Sequence, residues 1–129
     1  MAPISVTLAR LDPPAAVVAL VGEHDAYSSG RLENEIGVLL DEGRGIVIDL
    51  SDTSFIDSTT LSVLLGARRR AEQSSLGFVL LLPDAEYTQV HHILELTGLG
   101  SSFATFGNSK DALAAVRAGR AAGQPVKAA

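Results

Sequence analysis

The chain has 129 residues, 47% of them hydrophobic and 19% charged, a composition that suits one globular domain and is too short for two ordinary ones. Ten Lys and Arg against fifteen Asp and Glu give a net charge of -5, which argues against nucleic acid and against an anionic membrane surface. With no cysteine there is no disulfide framework, thiolate nucleophile or thiolate metal site, so the core alone must hold the fold, as expected in a reducing cytoplasm. Met1 to Arg10 shows no charged leader followed by an apolar run. The longest apolar stretches, 15–21 and 78–82, fall far short of the roughly 20 residues that span a bilayer. A soluble, cytoplasmic protein without membrane insertion is expected.

Ile4, Val6 and Leu8 alternate with Ser5, Thr7 and Ala9, which predicts a strand with one wetter face at a sheet edge. Asp12-Pro13-Pro14 breaks the chain, and 15–21 is continuously apolar, as in a strand buried on both faces; the two read as an antiparallel hairpin. After Gly22 the period changes, with Leu32, Ile36, Leu39 and Leu40 on one helical face and Gly43 and Gly45 as the stop. Residues 45–50 predict a third strand and 51–57 a loop. A second helix follows, with Leu61, Leu64, Leu65, Ala67 and Ala71 on its inner side. The spacing then predicts a fourth strand over 78–82, a third helix over 86–97 stopped by Gly98, and a fifth strand over 103–106. A last helix, capped by Asn108 or Ser109, runs through Leu113 and Val116.

The order implies a single α/β domain over residues 1–117, with a mixed, mostly parallel five-stranded sheet covered by about four helices and its first strand antiparallel at an edge. Residues 118–129, rich in Ala, Gly, Arg, Gln, Pro and Lys, read as a flexible C-terminal tail.

Function in open α/β sheets gathers at the C-terminal ends of the strands. There the third strand ends at Asp49-Leu50, and Asp57-Ser58-Thr59-Thr60 opens the second helix. Ser58 sits where a hydroxyl would cap the helix and stay exposed on its first turn. A phosphate added there meets free backbone N–H groups and the positive end of the helix dipole, so it adds charge without unfolding the domain. Ser, Thr and Asp also crowd helix starts simply because they cap, and the two roles are compatible.

Four segments in register resemble one family. Ile46 to Ser51 followed by Phe55-Ile56-Asp57-Ser58-Thr59 and Leu61 is similar to the signature of anti-sigma factor antagonists, within the STAS family of sulfate transporters and anti-sigma factor antagonists. Val21-Gly22-Glu23-His24-Asp25 resembles the family's Gly-Glu-x-Asp turn, Leu94 to Leu99 the end of its third helix, and Ser109 to Leu113 the start of its last. The resemblance covers about residues 4 to 117. It implies a switch rather than an enzyme, with no cofactor and no metal. Unphosphorylated, such a protein binds an anti-sigma factor that is also a serine kinase and so frees the sigma factor. Phosphorylation releases it, and a phosphatase resets it.

Carried over by position, the phosphoacceptor is Ser58, the preceding acid is Asp57, and Asp25 is the acid near the same rim. Thr59, Thr60, Ser62 and Arg69 complete the expected partner surface of a monomer or weak dimer. The family usually has glycine two residues after the phosphoacceptor. This chain has Thr60, a branched side chain on what is expected to be the exposed first turn, and Thr59 and Thr60 stand as rival acceptors.

Other clusters read as structure. His91 and His92 are adjacent on a helix and point about 100° apart, with Glu95 four and three residues on, which suits solvated positions better than one metal site. Asp25, Asp49, Asp52 and Asp57 lack the paired acids and lysine of a phosphoaspartate receiver. Arg68-Arg69-Arg70 favours the dipole late in its helix, or an acidic partner. No phosphate loop or nucleophile elbow is present. Two further readings stand beside the switch. One is a STAS subunit docked on a lipid or anion transporter. The other is a small-molecule-binding α/β domain, which would show a concave apolar pocket with polar groups converging at the strand ends.

Overall fold

The computed structural model describes residues 3–10 and 12–121. In chain order the elements are β1 (Ile4–Ala9), β2 (Ala15–Leu20), β3 (Gly22–His24), α1 (Ala26–Asp41), β4 (Gly45–Asp49), β5 (Thr53–Ile56), α2 (Ser58–Gln73), β6 (Phe78–Leu81), α3 (Gln89–Thr97), a 3-10 turn (Leu99–Ser102), β7 (Ala104–Phe106) and α4 (Ser109–Arg117). The main sheet has the order β1-β2-β4-β6-β7. Its first pair is antiparallel, Ile4 opposite Leu20 and Ala9 opposite Ala15, and the rest are parallel. This is the expected mixed sheet with β1 on an edge.

Period-two alternation divides the central strands between two cores. Val18, Leu20, Ile46, Ile48, Phe78 and Leu80 pack with Leu32 and Ile36 of α1, Leu61 and Leu64 of α2, and Val90 and Leu94 of α3. Val47, Val79 and Leu81 face the other way, onto Ala112, Ala115 and Val116 of α4. Three helices therefore cover one face and one covers the other. The crossing by α4 is close: a Cβ on Gly77 would sit 2.5 Å from the Val116 carbonyl oxygen, so only glycine fits.

Four details differ from the sequence reading. The segments taken as a turn and a loop hold β3 and β5, which pair in parallel as a separate two-stranded sheet, His24 opposite Ile56. The third helix begins at Gln89 rather than near residue 86, because Thr88 and His91 form a capping box that fixes its start; Gly98 ends it as expected, at φ 71°. The fifth main-sheet strand starts at Ala104, with Phe103 buried just before it. The chain does not leave the domain at Arg117: the Phe78 amide donates to the Arg120 carbonyl at 2.9 Å, and Ala121 is buried in the larger core. The rest of the expected tail, 122–129, lies outside the described residues. No helix among the described residues is long and apolar enough to cross a membrane.

Candidate functional site

The small parallel sheet is what builds the site. β3 and β5 run side by side, and each hands the chain to a helix through an aspartate. Asp25 caps α1, its carboxylate accepting from the Tyr27 amide at 2.9 Å. Asp57 caps α2, accepting from the Thr60 amide at 2.8 Å. The Asp57 amide donates to the His24 carbonyl at 3.2 Å, which holds the two helix starts together at one rim. The cap of α2 is thus Asp57 and not Ser58, because the carboxylate one residue earlier reaches the third amide.

Ser58 is therefore the first helical residue, exposed, and its hydroxyl has no hydrogen-bond partner among the described residues. Thr59 beside it is also exposed. Ser62 and Arg69 follow on the outer side of α2, both exposed, and Arg69 makes no ion pair with a described residue. At 1.5 Å per residue Arg69 lies roughly 16 Å along the helix from Ser58, so the two can share a face but not a small ligand. Its neighbours are engaged elsewhere, Arg68 with Glu72 at 2.8 Å and Arg70 with Asp41 of α1.

Thr60 departs from expectation. It is fully buried, and its hydroxyl donates to the His24 carbonyl at 3.2 Å. One helical turn before Leu64, it belongs to the inner stripe of α2, so it is neither a rival acceptor nor a contact for a partner in this fold.

His24, which sequence reasoning passed over, is fully buried behind the rim. Its Nε2–H donates to the Val21 carbonyl at 3.1 Å, which leaves Nδ1 facing the Ser28 hydroxyl at 3.1 Å. Its carbonyl takes both Asp57 and Thr60. Exposed apolar side chains flank this arrangement, Tyr27 at 89% and Phe55 at 37%. Asp25, Ser58 and Thr59 are exposed as well.

The other clusters do not converge. Tyr87 stacks on His91, donates to Glu95 at 3.3 Å and meets His92 Nδ1 at 3.0 Å, while His91 is occupied in capping α3. Packing around the Tyr87 ring and the Glu95 carboxylate push its phenol pKa up. Asp49 accepts from the Ser51 amide at 2.9 Å and from its hydroxyl, and no group of three metal-ligating side chains assembles among the described residues. A groove of about 620 Å³ does run between α1 and α2, past Gly37, Val38, Val63, Gly66 and Arg70, along the helices rather than at the strand ends.

Comparison with known proteins decides what this arrangement belongs to. The family model for the STAS domain matches residues 7–112. The chain belongs to the STAS family. This STAS domain is 34% identical over 121 residues to the anti-sigma-F factor antagonist RsfB of Mycobacterium tuberculosis, covering 92% of the chain and 96% of that protein. Its fold superposes on the crystal structure of an anti-sigma factor antagonist from Mycobacterium paratuberculosis with a TM-score of 0.73 at 28% identity, over 89% of this chain and 95% of that one. It shares its fold with the Bacillus cell fate determinant SpoIIAA, solved in a phosphorylated form, at a TM-score of 0.64 and 23% identity, over 88% of this chain and all of that one.

Proposed function

We infer that this STAS domain is an anti-sigma factor antagonist, a binding protein switched at Ser58. In its unphosphorylated form it holds an anti-sigma serine kinase through the rim made by Asp25, Asp57, Ser58 and Thr59, extended along α2 by Ser62 and Arg69. The kinase phosphorylates Ser58 and is released, and a phosphatase restores the hydroxyl. Support comes from the antagonists to which the chain is similar and from one geometric fact: the Ser58 hydroxyl is exposed and unengaged on the first turn of α2.

A phosphate at that position adds between one and two negative charges beside the Asp57 carboxylate, on a helix start whose dipole tolerates them. The backbone need not move. Release then comes from charge and shape at the contact, and about 1–3 kcal/mol of lost complementarity lowers affinity roughly 5- to 150-fold.

The test is incubation with the host's anti-sigma kinases and ATP. Wild type is expected to take up label, Ser58→Ala to bind without being labelled or released, and Ser58→Asp to bind more weakly within that range. Label that persists in Ser58→Ala and disappears in Thr59→Ala would transfer the switch to Thr59. A wild type that neither binds nor is labelled by any of these kinases would overturn the reading.

A further inference from the structure

The segment that delivers Ser58 is held from its open side by one side chain of α3. In a parallel pair alternate residues turn their N–H and C=O toward the neighbouring strand. Asp57, just past the end of β5, faces β3, since its amide bonds to the His24 carbonyl, so Ile56 points its N–H and C=O the other way. Those two groups meet Gln89. The Ile56 amide donates to Gln89 Oε1 at 2.9 Å, and Gln89 Nε2 donates to the Ile56 carbonyl at 2.8 Å.

A primary amide is the side chain that offers one donor and one acceptor in the spacing of a peptide group. Turning it over would set N–H against N–H and oxygen against oxygen, so the pairing also fixes its orientation. Gln89 thereby does the work of a missing neighbouring strand for a single residue. The Ile56 side chain is fully buried, and its backbone groups would otherwise be left without partners near the core. Gln89 is itself well placed, as the first residue of a helix whose start is fixed by the Thr88–His91 capping box.

The geometry points to Gln89 as a positioning residue for Ser58. It anchors Ile56, two residues upstream of the hydroxyl, while His24 anchors Asp57 and Thr60 from the opposite side. The first turn of α2 is thus gripped on both flanks, and Ser58 is presented in one backbone arrangement. The pairing also closes the outer edge of β5 at Ile56 against a strand from another chain. The consequence for phosphorylation rests on the switch proposed above; the positioning itself does not.

Three variants of the full chain test it: Gln89→Met, which keeps length without polarity, Gln89→Ala, and Gln89→Glu. Amide hydrogen exchange read by NMR is expected to quicken about tenfold at residues 56, 57 and 60 in Gln89→Met and Gln89→Ala, while amides of β4 and β6 keep wild-type protection. In Gln89→Glu the ionised carboxylate faces the Ile56 carbonyl and loses the donor, but the protonated acid regains both bonds. Its protection at residues 56, 57 and 60, corrected for intrinsic exchange rates, should therefore recover as pH falls through the carboxyl's titration. In the kinase assay, kcat/KM for Ser58 should drop about tenfold in Gln89→Met at a temperature where circular dichroism shows that variant fully folded, a loss that general destabilisation would not give.

Wild-type protection at residues 56, 57 and 60 in Gln89→Met would overturn the positioning role. Should that variant and Gln89→Ala unfold, a Gln89→Glu protein with the same protection above and below the carboxyl's titration would overturn it equally. A wild type that takes no label defeats the switch and not the positioning, which the exchange data decide alone.

Discussion

The starts of α1 and α2 are built on one plan and differ at one decisive place. Each follows a short strand of the same parallel pair, each is capped by aspartate, and each buries a hydroxyl three residues later, Ser28 after Asp25 and Thr60 after Asp57. Both hydroxyls close on His24, Ser28 at its ring and Thr60 at its carbonyl. The residue after the cap is Ala26 in one and Ser58 in the other, both exposed. The scaffold chemistry is therefore duplicated and the chemistry available to a kinase is not. At these two starts the fold uses a carboxylate as cap and a buried hydroxyl three residues on. A regulated site needs one further hydroxyl that the fold does not use.

The largest expected effect comes from removing the buried ring behind the rim. His24→Ala deletes a buried ring with a bond to the Val21 carbonyl and a contact to Ser28, and should cost about 3 kcal/mol in urea unfolding. A loss below about 1 kcal/mol would mean that water replaces the ring without penalty and that the start of α1 is not held through it.

Breaking the caps separately comes next. Asp25→Ala and Asp57→Ala should each cost about 1 kcal/mol, as cap deletions do, since each removes one carboxylate from one amide. Both variants are expected to lower labelling of Ser58, Asp57→Ala the more, because Asp57 adjoins the hydroxyl whereas Asp25 contributes only to the shared rim. Equal effects of both variants on labelling would show that the kinase reads the two starts as one surface. The smallest effect sharpens the comparison most. Ala26→Ser in a Ser58→Ala background restores a serine behind an aspartate at the twin position and should alter stability by no more than about 0.5 kcal/mol. No label is expected there; label at residue 26 would show that an Asp-Ser helix start alone suffices.

Much of this plan was legible in the sequence. The period-two alternation of Ile4, Val6 and Leu8, the apolar strands around Val18, Ile46 and Phe78, and the helical stripes of α1 and α2 gave the sheet and its cover, because long periodic segments record which side is buried. β3 and β5 were not legible. At three and four residues they are too short for a period to show, and Glu23-His24-Asp25 looks solvated although His24 points inward. Thr60 left a usable trace: with Leu64, Ala67 and Ala71 it falls on one helical stripe, and a threonine there is a core residue whose hydroxyl finds a carbonyl. Gln89 left none, because its partner is 33 residues away and only the fold brings them together.

The two sides of α2 answer to different demands. Thr60, Leu61, Leu64 and Ala71 are fixed by what they pack against, whereas Ser58, Thr59, Ser62 and Arg69 touch nothing that the domain needs in order to stand. Substitutions along the outer side can accumulate at almost no thermodynamic penalty. Such changes would alter the contact proposed above and leave the fold as it is.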